Sequence, residues 1–182
     1  MLRIATIGTS PITENFIEVL NANDRAAFVG AQSRDAERAH AFTQEHGGKH
    51  GYSSVEELAA DSAIDAVYIG SPNACHAPQA LALISAGKHV LVEKSFCSNR
   101  REAQEVFDAA ERANVVALEA MRPLISLRTP SSRSGASGAP PSALASTPRA
   151  TTISSRIVTP TSLTAIWHLA ALWIWASTAW SP

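Results

Sequence analysis

The sequence contains only two cysteines, has no acidic residue after Glu119 and has no tryptophan before Trp167. Cys75 and Cys97 lack the C-x-x-C spacing and match no metal-binding pattern, so we expect reduced thiols and no metal site. The net charge of −1 and the pI near 6.6 give no indication of a nucleic-acid partner. An apolar strand begins almost at the N-terminus and leaves no room for a secretory signal, which predicts a cytoplasmic protein.

These absences divide the chain near Leu124. All 16 acidic residues lie before this point, whereas the only charged residues of the second region are four arginines. Ser, Thr, Ala and Pro make up most of the second region, and its end is rich in Trp. Such a composition buries too little apolar surface to offset the entropy of ordering. We therefore predict a folded domain at residues 1–124 and a disordered, low-complexity tail at residues 125–182.

Strand-like and helix-like patterns alternate through the first region. Short apolar runs predict strands at residues 2–7, 26–31, 64–69, 89–92 and 115–118. Helical spacing predicts helices at about residues 12–20, 35–46, 76–86 and 98–112, with a short helix from residue 55. Ser54 and Ser98 are the predicted caps of two of these helices, and Glu57 is the predicted partner of Ser54. Such alternation with short joints is typical of an α/β fold with a doubly wound parallel sheet, which is Rossmann-like.

Ligands of such sheets bind beyond the carboxyl ends of the strands, where the helix N-termini lie. The first strand leads into a loop in which the usual G-x-G-x-x-G spacing reads as Gly8, Ser10 and Thr13. Gly8 permits the tight turn, and Ser10 stands where the backbone approaches a pyrophosphate. The residues alone leave two alternatives open: a dinucleotide-binding loop and a plain tight turn.

The loop after the second strand contains Ser33 and Arg34, where an acidic residue usually holds the ribose 2′-hydroxyl of NAD. An arginine beside a small hydroxyl instead suits the 2′-phosphate of NADP by charge and geometry. The alternative is a solvated cation at the start of a helix. The residues alone leave both interpretations of Arg34 open; if the loop binds a dinucleotide, the choice between NADP and NAD is expected to favour NADP.

Polar residues also follow the remaining strands. Asn73 and His76 follow the third strand, and a histidine in this place is either a structural hydrogen-bonding residue or a chemical one. Glu93 and Lys94 follow the fourth strand, and Glu119 stands at the end of the fifth. A lysine at the end of a strand can orient a substrate or share in proton transfer.

Three segments of the first region resemble a known family. The segment AGKHVLVEKSF (residues 86–96) resembles the signature A-G-K-H-V-x-x-E-K-P of the Gfo/Idh/MocA family, the glucose–fructose oxidoreductase/inositol dehydrogenase family. SPNACH (residues 71–76) is similar to the T/S-P-N-x-x-H segment of that family, and ATIGTSPITENF (residues 5–16) is similar to a subgroup whose loop reads I-G-T-x-x-I-T. The resemblance implies a dinucleotide-binding domain over residues 2 to about 124 and an NAD(P)-dependent oxidoreductase acting on a sugar, polyol or related hydroxyl compound.

The family pattern also implies roles for individual residues. The residues that would contact the pyrophosphate are Gly8, Thr9, Ser10, Ile12 and Thr13. The adenosine ribose would meet Ser33 and Arg34, and the nicotinamide side would be lined by Asn73 and His76. Ser71 would also contact the cofactor, and Glu93 and Lys94 would contact it and carry catalysis. Two departures stand out: Ser95 replaces the proline of the family, and the family's second domain, which carries substrate and subunit contacts, is not recognisable after residue 124. We therefore expect a homo-oligomer only where that second domain is present.

Three interpretations of the whole chain follow. The first is a member of this family that is truncated and inactive, and the second is a dinucleotide-binding module without catalysis. The third takes residues 163–180, LTAIWHLAALWIWASTAW, as a C-terminal membrane anchor, although they lie at the lower edge of spanning length and lack a flanking basic cluster. The first is favoured because residues 168–180, back-translated and read from the third base of each codon, allow a Gly-Gly-x-Leu/Met-Asp-Leu/Met-Gly-Val/Ile-Tyr/His sequence. This resembles a segment of the family's second domain and predicts a reading-frame shift near codon 124.

Overall fold

The computed structural model describes residues 1–120, in which strands and helices alternate along the chain. Six strands and five helices follow in the order β1 (Leu2–Ile7), α1 (Pro11–Asn21), β2 (Ala26–Gln32), α2 (Ala36–Glu45), β3 (His50–Tyr52), α3 (Val55–Ala60), β4 (Ala66–Ile69), α4 (Asn73–Ser85), β5 (His89–Glu93), α5 (Arg100–Ala113) and β6 (Ala117–Ala120). The predictions of a disordered tail at residues 125–182 and of an anchor at residues 163–180 lie outside the described residues. Within residues 1–120, no helix combines the length and the apolar character needed to cross a bilayer.

The six strands form one parallel sheet in the order β3-β2-β1-β4-β5-β6. The chain adds strands outward on one side of β1 and then returns to add β4 on the other side. This reversal opens a crevice at the carboxyl ends of β1 and β4, where doubly wound sheets bind their ligands. The predicted α/β fold with a doubly wound parallel sheet is confirmed.

Helices cover both faces of the sheet, as a parallel sheet requires. One face is packed by α1 and α2, which contribute Phe16, Leu20 and Phe42 to a buried cluster. The opposite face is packed by α3, α4 and α5 through a second buried cluster that includes Leu58 and Leu83. Both clusters form from residues 1–120, so this part of the chain carries its own core.

The structure differs from the predicted elements at the two edges of the sheet. β3 was not predicted, because the three residues His50–Tyr52 are too short to show a periodic pattern. The last strand was predicted at residues 115–118, but it lies two residues later. The N–H of Val115 still donates to the carbonyl of Ala110 at the end of α5, and the N–H of Val116 donates to Nδ1 of His89. Pairing with β5 therefore begins at Ala117.

Two helix starts also differ from the prediction. α4 begins at Asn73 and not at His76, because the turn after β4 already leads into the helix at Pro72. The cap of α5 is Asn99 and not Ser98, since the Oδ1 of Asn99 accepts the N–H of Glu102 at 3.0 Å. The predicted cap of α3 is confirmed by the bond from the N–H of Glu57 to Oγ of Ser54 at 3.1 Å.

Candidate functional site

The loop after β1 passes very close to the end of β4. Gly8 has a φ of +98°, and a Cβ at this position would lie 2.8 Å from the carbonyl oxygen of Gly70. The N–H of Gly8 donates to the carbonyl of Gln32 at 3.0 Å, which ties the same loop to the end of β2. Only glycine combines this backbone conformation with this close approach. Gly8 is thus placed at the crevice, as the sequence predicted.

Two hydroxyl residues occupy the remaining glycine positions of the loop. Ser10 is the N-cap of α1, but its Oγ lies 3.2 Å from Oγ1 of Thr13 and does not cap the helix. Thr13 is fully buried. Its Oγ1 packs so closely against Gly70 that a Cβ at position 70 would lie only 2.8 Å from it. Hydroxyl groups therefore replace the second and third glycines without opening the loop.

The N-terminus of α1 faces the crevice with free donors. Among residues 1–120, the N–H groups of Thr9 and Ser10 have no recorded acceptor. Pro11 begins the helix, where its missing N–H costs no hydrogen bond, and Ile12 packs partly buried against the core. A helix N-terminus with unpaired N–H groups favours an anion.

The loop after β2 lies beside the loop after β1. Arg34 is exposed, and Oγ of Ser33 accepts the N–H of Asp35 at 3.3 Å. The carboxylate of Asp35 caps α2 by accepting the N–H groups of Glu37 and Arg38. The carboxylate of Asp35 is therefore hydrogen-bonded to the first turn of α2.

Arg38 is a residue of this site that was not singled out from the sequence. Its Nη2 donates to the carbonyl oxygen of Thr9 at 3.3 Å, so the side chain spans from α2 to the loop after β1. The signal in the sequence was weak, because Arg38 lies in the first turn of the helix that follows this loop, whereas Arg34 precedes the cap residue Asp35. The guanidinium of Arg38 is thus anchored next to the crevice, and the exposed Arg34 lies in the same loop region.

His76 joins the loops after β4 and β5. Its Nε2 lies 2.7 Å from the carbonyl oxygen of Ser71 and its Nδ1 lies 2.9 Å from that of Ser95. The side chain is fully buried, so its geometry fits the structural hydrogen-bonding alternative. Ser71 also donates its hydroxyl to Oε1 of Gln79 at 2.6 Å, while Asn73 is exposed at the start of α4.

Glu93 is buried at the end of β5 and accepts two hydrogen bonds. Its Oε1 accepts the hydroxyl of Tyr68 at 2.7 Å, and its Oε2 accepts the backbone N–H of Lys94 at 3.1 Å. Burial, and then the bond to Glu93, raise the pKa of the Tyr68 hydroxyl, so it stays a donor. The ring of Tyr68 stacks on Phe16 of α1 with centroids 4.0 Å apart. The carboxylate therefore contacts Lys94 through the backbone and not through its ammonium group.

The segment after Glu93 is held by the neighbouring strand as well. The peptide bond between Lys94 and Ser95 is cis, and the side chain of Lys94 is exposed. The N–H of Phe96 donates to Oε1 of Glu119 on β6 at 3.0 Å. Burial, with the charges of Glu102 and Glu119, raises the pKa of the Cys97 thiol to about 11, so this free thiol stays protonated.

The structure brings the predicted residues to one edge of the sheet, in two groups. The first group surrounds the loop after β1, which contacts Gly70 on one side and Arg38 on the other. The second group surrounds Lys94 and is linked through His76 to Ser71. The roles of these residues toward a cofactor stay predictions. Within residues 1–120, no three His, Cys, Asp or Glu side chains group in a way that could hold a metal ion.

Comparison with known families and proteins gives a consistent match to this part of the chain. Residues 2–120 match the model of the GFO_IDH_MocA oxidoreductase family, described by its NAD-binding Rossmann fold. The chain is 44% identical over 122 residues to the scyllo-inositol 2-dehydrogenase (NADP(+)) IolU of Bacillus subtilis, covering 67% of this chain and 37% of that protein. It is 40% identical over 115 residues to the D-xylose 1-dehydrogenase (NADP(+)) 2 of Haloferax volcanii, covering 63% of this chain and 35% of that protein.

A solved structure shows the same fold with a cofactor bound. The crystal structure of KijD10, a 3-ketoreductase from Actinomadura kijaniata, in complex with NADP aligns with a TM-score of 0.62 and 29% identity. The alignment covers 65% of this chain and 38% of that one. The chain therefore spans little more than a third of the length of the proteins it matches.

Proposed function

The chain belongs to the Gfo/Idh/MocA oxidoreductase family through its NAD-binding Rossmann domain, and we propose that this domain binds NADP in preference to NAD. The close approach of Gly8 to Gly70 leaves no room for a side chain at this turn, so the backbone of the loop itself borders the crevice. The N–H groups of Thr9 and Ser10, which have no acceptor among residues 1–120, lie in this loop at the N-terminus of α1. A pyrophosphate would meet the donors and the positive end of the helix there.

The adenosine end of the cofactor would lie over the loop after β2. Arg34 and Arg38 supply two guanidinium groups there, and the hydroxyl of Ser33 lies in the same loop, where it accepts the N–H of Asp35. Guanidinium groups bind phosphate with charge-assisted hydrogen bonds, so they favour the 2′-phosphate of NADP. Asp35 is the only acidic residue of this loop, and its carboxylate is already used to cap α2. The names of the Bacillus and Haloferax relatives also specify NADP(+).

Lys94 and Glu93 would serve the reaction at the other end of the cofactor. A bound nicotinamide would supply or accept the hydride. The exposed ammonium of Lys94 would bind the reacting oxygen of the substrate and hold or donate its proton. The buried carboxylate of Glu93 would fix the backbone at Lys94 through the bond to its N–H. The relatives suggest a sugar, a polyol or a related hydroxyl compound as the substrate.

We further propose that the chain as written lacks oxidoreductase activity, because residues 125–182 come from a shifted reading frame. Trp173 to Ala176 can be coded only as TGG-ATH-TGG-GCN. Read from the third base of each codon, this gives Asp, then Leu or Met, then Gly, whichever synonymous codons are used. The shifted reading resembles the L-x-D-x-G-x-Y/H segment of the family's second domain, and its Asp and Gly match that segment whichever codons are used.

The remaining proposals concern where the protein acts and with what. The free thiols Cys75 and Cys97 suit the reducing cytoplasm. The partner is a small molecule, and neither nucleic acid nor a membrane surface is proposed. A homo-oligomer is not expected without the second domain. A non-catalytic dinucleotide-binding module is the second candidate function, since the phosphate-binding groups all lie within residues 1–120.

Titration of the full chain with NADPH and NADH tests the cofactor proposal. We expect NADPH to bind at least about tenfold more tightly, and Arg34→Glu to remove most of that preference. Arg25→Glu is the matched control, because it makes the same charge change at an exposed site. Arg25 precedes the amino end of β2, whereas Arg34 follows its carboxyl end. A preference for NADH, or an NADPH affinity that Arg34→Glu leaves unchanged, refutes the proposal.

A further inference from the structure

The backbone on both sides of Lys94 is held at three successive points. The N–H of Lys94 donates to Glu93 at 3.1 Å, the carbonyl of Ser95 lies 2.9 Å from Nδ1 of His76, and the N–H of Phe96 donates to Glu119 at 3.0 Å. We name the side chains of His76, Glu93 and Glu119 the loop clamp. They come from α4, β5 and β6, so three separate elements fix one short segment.

The loop clamp holds the backbone around Lys94 but forms no recorded hydrogen bond with the side chain of Lys94. The side chain of Lys94 is exposed, and no ion pair or hydrogen bond of its ammonium is recorded within residues 1–120. A lysine side chain has several rotatable bonds, so it gains direction only from its backbone and from what it binds. The direction in which Lys94 leaves the sheet therefore depends on the three bonds of the clamp.

We propose that Glu119 and His76 are positioning residues, which hold the Lys94–Phe96 backbone so that the ammonium of Lys94 reaches the nicotinamide end of the cofactor. This inference rests on the cofactor site proposed above. Glu119 is the more informative of the two, because it reaches across from the edge strand β6 and makes a single recorded bond to the segment. It couples the position of β6 to that of Lys94.

The bond to Glu119 needs an acceptor but not a charge. Its Oε1 accepts one N–H, and an amide oxygen can accept the same N–H at the same distance. Glu119→Gln should therefore keep the segment in place, whereas Glu119→Ala should release it. If Glu119 acted through its negative charge, both variants would release the segment, because both remove that charge.

The chain carries its own controls for a measurement on Lys94, because it contains only three lysines. Lys49 is exposed and lies before β3, far along the chain from the clamp. Lys88 is buried, and its Nζ donates to the carbonyls of Asp61 at 2.6 Å and Ile64 at 2.8 Å. Acylation of the three amines can thus be compared within one sample.

The first arm of the test acetylates the full chain with N-hydroxysuccinimidyl acetate, with and without saturating NADPH, and follows each lysine by mass spectrometry. We expect NADPH to slow acetylation of Lys94 by about tenfold relative to Lys49. Glu119→Ala should lose most of this protection although NADPH still binds through the loops after β1 and β2. Glu119→Gln should keep it, and Glu111→Ala, at an exposed position on α5, should match the unaltered chain.

The second arm needs no cofactor and follows hydrogen exchange at the amide of Phe96. We expect exchange to become at least about tenfold faster in Glu119→Ala and to stay near the original rate in Glu119→Gln. The inference is overturned if Glu119→Ala leaves this rate unchanged, or if Lys94 stays protected by NADPH in that variant. If NADPH fails to protect Lys94 in the unaltered chain, the proposed cofactor site is wrong, and the exchange rates alone decide about the clamp.

Discussion

Residues 1–124 contain every acidic residue of the chain, and residues 125–182 contain none. In the first region acidic side chains do specific work at helix ends: Asp35 caps α2, Glu57 accepts the N–H of Ser53, and Glu102 accepts the N–H of Ser98. Carboxylates at these places satisfy N–H groups that a helix cannot satisfy itself and complement its dipole. A sequence shaped by folding places acidic residues in this way, so their absence from a whole region is the compositional basis of the proposed frame shift.

Replacing the second region should have the largest effect. We expect a chimera of residues 1–122 and the remaining domain of the Bacillus subtilis scyllo-inositol dehydrogenase to reduce NADP with a polyol, while the original chain shows no measurable turnover. The physical reason is the proposal that residues 125–182 stand in place of the domain that carries the substrate contacts in the family. Initial rates of NADPH formation with a panel of polyols measure this, and turnover by the original chain would break the contrast between the two regions.

Within that chimera, Lys94→Ala should lower turnover by about a hundredfold to ten-thousandfold, which is the usual contribution of a positioned proton-transfer group. The side chain is exposed and makes no core contact, so the melting temperature and the NADPH affinity should change little. Rates, thermal unfolding and cofactor titration are compared in parallel. The same Lys49→Ala change provides the control, and normal turnover of Lys94→Ala removes the proposed role.

The loop after β1 offers a smaller, sharper test of the first region. Gly8→Ala should destabilise the domain by about 1–3 kcal/mol and weaken NADPH binding, because the new Cβ meets the carbonyl of Gly70. Gly47→Ala is the control: Gly47 also has a positive φ, +80°, but nothing lies within 4 Å of its Cβ position. Chemical unfolding and titration separate the two effects, and equal losses in both variants would show that the close approach to Gly70 does not matter.

The elements were predictable wherever a long periodic pattern carried the signal. The strand at Leu2–Ile7 was predicted at its observed bounds, and the cap of α3 by Ser54 is confirmed, because both depend on local sequence. β3 was missed because it is set by pairing with β2 and not by its own three residues. The cap of α5 was placed one residue early because Ser98 and Asn99 are both good caps, and only the bond to Glu102 distinguishes them.

The site was predictable as a set of loops but not as a set of contacts. The carboxyl ends of parallel strands meet at one edge, which placed Gly8, Arg34 and Lys94 there from the sequence. The bridge of His76 between Ser71 and Ser95 depends on how two loops pack, and the pattern of either loop does not contain it. Long-range bonds of this kind require the fold.

The pH dependence of stability tests the hydrogen bond between His89 and Val116, which lies just before the last strand of the sheet. Burial lowers the pKa of His89, whose Nδ1 accepts the N–H of Val116 next to β6. The unfolded chain therefore binds this proton more readily than the folded one, so stability should fall as the pH drops below about 6.5. His89→Asn keeps an acceptor without a titrating ring and should flatten this part of the melting-temperature profile, while His40→Asn at an exposed position should not.

A second acidic window belongs to Asp65. The hydrogen bond from Arg3 lowers the pKa of this carboxyl, and this effect outweighs burial, which raises it. Its contribution to stability is therefore present above about pH 4 and is lost as the pH falls below that value. Melting curves between pH 5 and 3, recorded for the chain and for Asp65→Asn, should converge at the acid end.

Removal of the second region should have the smallest effect. A chain ending at Leu124 should bind NADPH as the full chain does, and its free energy of unfolding should differ by less than about 0.5 kcal/mol. The core clusters and the candidate site lie within residues 1–120, which is why little should be lost. A large drop in either quantity would show that residues 125–182 contribute to the fold and that the two regions are not independent.

The coding DNA around codon 124 tests the central claim most directly, which is that the second region is a shifted reading of a family member's remaining domain. Independent resequencing should find one base gained or lost near this codon. The corrected frame should then read through Asp, Leu or Met, and Gly at the position of Trp173 to Ala176. An unaltered frame in the independently determined DNA would contradict the account.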